Sequence, residues 1–117
     1  MSRELKFRVY IPDHEKFSYF ELGNFDYSDR YLYQHSYPVQ QYTGLKDKNG
    51  VEIYEGDIVK YELGNKEFNE KVVWENYTWC LNSFDDNSSN PIGFLFSVKS
   101  EVIGNIFENP ELLKNER

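Results

Sequence analysis

The sequence predicts a mainly β protein, a single small domain with an SH3-like barrel core and antiparallel hairpins. Three observations carry that expectation. Apolar and polar residues alternate with a period of two over several short runs. Aromatic residues, which favour strands and pair across them, make up 18% of the chain. Glycines fall singly at the ends of the runs, where turns need them. At 117 residues the chain is long enough to bury a core without metals or disulfides. It shows no internal repeat, low-complexity tract or linker, so residues 1–117 are expected to form one domain.

Taken in order, Leu5, Phe7, Val9 and Ile11 alternate with Glu4, Lys6, Arg8 and Tyr10, the pattern of a half-buried strand that Pro12-Asp13 ends. Residues 17–22 form a second strand, closed by Gly23-Asn24 and joined to the first as a hairpin through residues 13–16. From residue 24 to 38 the alternation fails, which predicts a long loop with one helical turn near residues 28–33. Residues 39–43 form a strand, and 51–54 its partner or a short extended piece across Asn49-Gly50, the dipeptide that best tolerates the positive φ of a tight turn. Glu55-Gly56-Asp57 supplies a further reversal.

In residues 58–63, Val59, Tyr61 and Leu63 share one face while Ile58, Lys60 and Glu62 share the other. Gly64-Asn65-Lys66 turns the chain, and residues 70–75 pair back antiparallel. Residues 77–81 continue as strand with Trp79 and Leu81 on one face. Residues 85–91 read as a polar loop. Phe94, Phe96 and Val98 alternate in the next strand, and residues 101–106 form the last. Asn109-Pro110-Glu111 then opens one short C-terminal helical turn, with the Asn109 side chain as its cap, and residues 114–117 fray.

The run Gln41-Tyr42-Thr43-Gly44-Leu45-Lys46-Asp47 with Asn49-Gly50, followed by Ile53-Tyr54-Glu55-Gly56-Asp57-Ile58-Val59, resembles the hallmark of the YopX family of phage and prophage proteins. Residues 3–10 are similar to that family's first strand, and residues 102–113 resemble its closing motif. The three segments occur in the family's order from one end of the chain to the other. The resemblance implies a small β-rich phage accessory protein, and it brings no reaction and no active-site residues with it.

Charge and composition bear on partners. The net charge is −7, from 20 acidic and 13 basic residues. No cluster of Lys and Arg is available to neutralise phosphates, so direct nucleic-acid binding is disfavoured. An acidic surface serves solubility, and its alternative use is as a DNA mimic that occupies a host nucleic-acid-binding protein. The first ten residues alternate charged and apolar side chains, unlike a signal peptide, and no apolar run approaches a membrane span of ~20 residues. A single cysteine, Cys80 between Trp79 and Leu81, is expected in the core of a protein kept in the reducing cytoplasm of the host cell.

Catalytic signatures are missing. There is no nucleophile elbow and no phosphate-binding loop, so an enzyme is not expected, nor is a cofactor. Asp85-Asp86-Asn87-Ser88-Ser89-Asn90 lacks the spacing of a calcium loop, and Cys80 with His14 and His35 does not compose a zinc site, so no metal is expected. Asp57, after Gly56 at a strand entrance, is expected to accept backbone N–H bonds within its turn, with a functional acid as the alternative. His14 is expected to be solvated.

The remaining candidates are Tyr31, Tyr33, His35 and Tyr37, placed to clamp a loop onto the barrel or a second subunit, or else to grip a planar ligand. The chain therefore reads as a non-enzymatic binding protein. Its expected partner is a second copy, as a homo-oligomer, or a host protein; a small molecule or nucleotide is the second reading and the DNA mimic the third.

Overall fold

A computed structural model describes residues 5–21, 38–83, 89–92 and 99–113. The expected loop at 24–38 with its helical turn, the strand of Phe94, Phe96 and Val98, and the tail 114–117 fall outside the described residues, apart from Pro38. So do the candidate residues Tyr31, Tyr33, His35 and Tyr37.

The chain opens with β1 (Lys6–Ile11), a 3-10 turn at Pro12–His14, and β2 (Lys16–Glu21). Pro12 has no N–H to extend the ladder and its fixed φ starts the turn, while Glu15 closes it at φ 51°. Next come β3 (Val39–Lys46), β4 (Glu52–Tyr54), β5 (Asp57–Leu63) and β6 (Lys66–Glu75). They are followed by β7 (Thr78–Asn82), β8 (Ser89–Pro91), β9 (Ser100–Asn105) and a 3-10 turn at Pro110–Leu113. The strands pair antiparallel in two sheets, ordered β2-β1-β3-β4 and β8-β7-β6-β5-β9. The sheets curl into a half-barrel, so the mainly β fold expected from the alternation is the fold observed.

Several boundaries differ from the expected ones for identifiable reasons. β3 runs three residues beyond Thr43, because Gly44 takes φ 90° and absorbs an irregularity between the Tyr42 and Lys46 pairings. The Thr43 hydroxyl steadies this bulge, donating to the Ile53 carbonyl and accepting from the Leu45 amide. β6 begins at Lys66, not Glu70: Gly64-Asn65 is a two-residue turn with Gly64 at φ 67°, so Leu63 pairs with Lys66 at once.

Residues 77–81 do not continue the preceding strand. Asn76 and Tyr77 both adopt left-handed backbone, φ 51° and 65°, and reverse the chain so that Glu75 pairs with Thr78. Asn suits that conformation, but Tyr rarely adopts it, which is why the sequence hides the turn. Within the supposed polar loop, Ser89–Pro91 pairs with β7 as an edge strand, the position in a sheet where a proline is tolerated.

The main core lies on the five-stranded sheet, where Val59, Val72 and Leu81 are fully buried with Ile53, Tyr61 and Trp79 around them. These are the residues that the alternation in β5 and the Trp79-Leu81 pair place on one face. Leu63 is the exception, half exposed at the end of its strand. Cys80 is buried, as expected of a core cysteine, and burial raises its thiol pKa. A smaller cluster, Val9 and Ile11 with Phe20 against them, lies on the first sheet.

The sheets are tied by backbone bonds at the reversal between β4 and β5. The Glu55 amide donates to Gln41, the Gly56 amide to Val72, and the Ile106 amide to the Gly56 carbonyl.

Candidate functional site

The two signature aspartates act as clamps. Asp47 is buried; its Oδ1 accepts the amides of Asn49 and Val51 at 2.8 and 2.9 Å, which fixes the β3–β4 turn. Its Oδ2 accepts the Val102 amide at 2.9 Å, so the same carboxylate fastens that turn to β9. Gly50 sits in the turn at φ 82°, as its place after Asn49 implies.

Asp57 is equally committed. Its Oδ2 accepts the Tyr54 amide at 2.7 Å, the turn role expected for it, and its Oδ1 accepts from Arg8 Nη2 at 2.8 Å. Burial pushes its pKa above the usual carboxylate value; the Arg8 charge and the Tyr54 amide oppose that rise.

Arg8 is the residue the sequence concealed. It alternates with apolar neighbours in β1, so the pattern assigns it to a wet face, yet it is 4% exposed. Its Nε donates to Gln40 Oε1 at 2.8 Å, and Nη2 also donates to the Glu55 carbonyl at 3.2 Å. The guanidinium lies between two rings, 4.2 Å from the centroid of Phe17 and 4.9 Å from that of Tyr54. Gln40 in turn packs where a side chain on Gly56 would have to go, and Gly56 takes φ 86°. One buried arginine thereby joins β1, β3 and the β4–β5 turn. The available signal was Asp57, since a buried carboxylate demands a cation or several N–H donors.

The rings around Arg8 form a continuous array between the sheets. Phe107 stacks on Tyr10 at 5.0 Å, Tyr10 meets Phe17 edge-on at 5.1 Å, Tyr19 meets Tyr54 edge-on at 5.6 Å, and Tyr54 lies 5.5 Å from Tyr42. Cross-strand pairing on one face of β1, β2 and the β3–β4 pair produces the array. Asn105 supports its far end. Its Oδ1 accepts the amides of Phe107 and Glu108, and its Nδ2 donates to Glu108 Oε1. Asn109 does not cap the following turn with its side chain as expected; its Oδ1 accepts the Asn105 amide, and its backbone carbonyl takes the Leu112 amide.

A cavity of about 440 Å³ opens between the sheets beside this array, lined by Arg8, Phe17, Tyr19 and Tyr54 from the first sheet and by Val102, Asn105 and Glu108 from the β9 side. Glu52, which also lines it, holds Lys6 at 2.7 Å. Two polar groups here remain unspent: Arg8 Nη1 and the Tyr54 hydroxyl make no hydrogen bond with the described residues. Among the described residues no buried side-chain nitrogen or oxygen lacks a partner, so these two atoms are open to solvent at the cavity that their residues line. Burial, with the Glu52 carboxylate next, pushes the Tyr54 pKa up to about 12, so the phenol is protonated at neutral pH.

His14 is exposed in its turn, as expected, and lies outside this lining. Among the described residues no group of three or more His, Cys, Asp or Glu is placed to hold a metal. Among the same residues no helix is long and apolar enough to cross a membrane.

No curated protein matches the chain. Among solved structures it is similar to protein EF1440 from Enterococcus faecalis, with 27% sequence identity, a TM-score of 0.63, and coverage of 97% of this chain and 100% of that one. The family model described as YopX protein matches residues 10–114, a span that holds the Asp47 and Asp57 clamps and the Asn105 turn. The chain belongs to the YopX protein family.

Proposed function

We propose that this chain is a non-enzymatic accessory protein of the phage or prophage kind, working in the host cytoplasm by binding. Its partner is a protein, either a host protein or a second copy, and it docks over the cleft between the two sheets. The observation that carries this reading is the cleft itself. Tyr19, 60% exposed, presents its ring at the mouth, and the Tyr54 hydroxyl and Arg8 Nη1 behind it have no hydrogen-bond partner among the described residues. Aromatic rings with a polar tip are the residues that protein interfaces favour.

Catalysis has less support here. Arg8 and Asp57 neutralise one another, and among the described residues lining the cavity there is neither a histidine nor a cysteine. A DNA mimic needs ranked acids, whereas Glu52, Glu67 and Glu101 are interleaved with Lys6, Lys60 and Lys48. A small molecule or nucleotide is the second reading, favoured by a cavity volume within the ~300–1,000 Å³ typical of ligand sites.

Affinity purification of the tagged protein from its host cell, with mass spectrometry of retained proteins and metabolites, tests this. The expected result is one protein retained by the parent and lost with Tyr19→Ala, the variant keeping its fold. A retained metabolite moves the case to the second reading. Light scattering decides whether the partner is a second copy: a mass that stays monomeric at high concentration leaves a host protein.

A further inference from the structure

We infer that the cleft recognises a basic side chain, lysine or arginine, presented by the partner protein. The inference rests on the proposal that the partner docks at this cleft, and it names the chemistry that the cleft accepts.

Charge decides between a cation and an anion. Among the described residues the lining carries one cation, Arg8, and three carboxylates, Glu52, Asp57 and Glu108. Arg8 and Asp57 cancel at 2.8 Å, which leaves Glu52 and Glu108. Lys6, which is not in the described lining, holds only the Oε2 of Glu52, and Glu108 has no cation beside it among the described lining residues other than Arg8, already committed to Asp57. The wall therefore presents negative potential to an incoming group, and an acidic side chain meets repulsion there.

The rings add to the same preference. Tyr19 and Tyr54 meet edge-on at 5.6 Å, and the array already accepts one guanidinium, that of Arg8 between Phe17 and Tyr54. A second cation at the mouth has the exposed Tyr19 ring and the free oxygens of Glu52 and Glu108 within the same cavity. The Tyr54 hydroxyl and Arg8 Nη1, without partners among the described residues, supply hydrogen bonds to the backbone of the segment that carries it.

Backbone NMR of the intact protein titrated with N-acetyl-arginine amide and N-acetyl-lysine amide tests this, with N-acetyl-glutamate amide and N-acetyl-leucine amide as comparisons. The basic probes are expected to shift the amides of Tyr19, Glu52, Asn105 and Glu108, to bind several-fold more tightly than the other two, and to weaken as salt is added. Glu52→Gln and Glu108→Gln keep an acceptor for Lys6 and Asn105, so the fold is retained, and each is expected to weaken basic-probe binding by roughly 2- to 5-fold. Equal or tighter binding of the glutamate probe overturns the inference. So does the absence of shifts at these amides, or indifference to both glutamine variants. If Tyr19→Ala loses the cellular partner while both glutamine variants retain it, the docking site stands and the basic side chain does not; if Tyr19→Ala also retains it, both fall.

Discussion

The core on the five-stranded sheet and the layer around Arg8 hold the molecule by different means. Val59, Val72 and Leu81 are fully buried and apolar, so their contribution scales with the area taken from water and depends little on angle. Around Arg8, a guanidinium, a carboxylate, an amide and two rings occupy positions that each partner constrains, and the layer is open on one side. The first region makes the chain collapse; the second fixes how β1 and β2 sit against the rest. Removing one member of the second leaves a polar group stranded, which costs more than the member itself contributed.

The sharpest test of that difference is Arg8→Ala, which leaves the buried Asp57 carboxyl without its cation. A loss of about 3 to 5 kcal/mol is expected at neutral pH by chemical denaturation. The loss should shrink on acidification, as Asp57 takes up a proton. Leu81→Ala in the dry core is expected to cost about 2 to 5 kcal/mol, and that loss should be independent of pH. If both losses respond to pH alike, the contrast between the regions fails.

The glycines at positive φ separate backbone strain from packing. Gly50 has open space where a side chain would grow, whereas Gly56 faces the Gln40 amide. Gly50→Val is expected to cost about 1 to 2 kcal/mol by strain alone. Gly56→Ala should exceed Gly50→Ala by about 1 to 3 kcal/mol, because Gln40 and with it Arg8 must move. Equal costs would mean that Gln40 yields freely.

The linkage for Asp57 has a definite sign. Its native pKa lies above the ordinary 3.8, so the folded state holds the proton more tightly than the unfolded chain. Its contribution is full below the unfolded value and is lost as pH rises through the native one. The stability of the parent relative to Asp57→Asn should therefore fall as pH rises from the ordinary carboxylate range, and a rise would overturn the burial argument.

The smallest effect is expected at the β6–β7 turn. Tyr77 is 93% exposed at φ 65°, so Tyr77→Gly removes strain while losing little contact, and should stabilise by up to about 1 kcal/mol. A destabilised variant would show that this ring packs against something in solution.

The sequence by itself determined the local structure of most described strands and turns. Alternation places Val59 and Tyr61 on one face, Asn49-Gly50 and Gly64-Asn65 turn the chain within a few residues, and Asp57 was recognisable as a turn acceptor, because each depends on neighbours in the chain. Tertiary structure decided which faces are covered. Arg8, Gln40 and Asn105 are polar residues whose burial depends on elements 32 to 49 positions away for the Arg8 contacts, so no local pattern records it. Tyr77 was lost for a related reason: its turn is imposed by the pairing of β6 with β7 against the residue's own preference. The cleft belongs wholly to this second class. It exists only where the rings of β1 and β2 approach the end of β9, and a period of two along one strand states that its faces differ without stating what the other sheet brings to either.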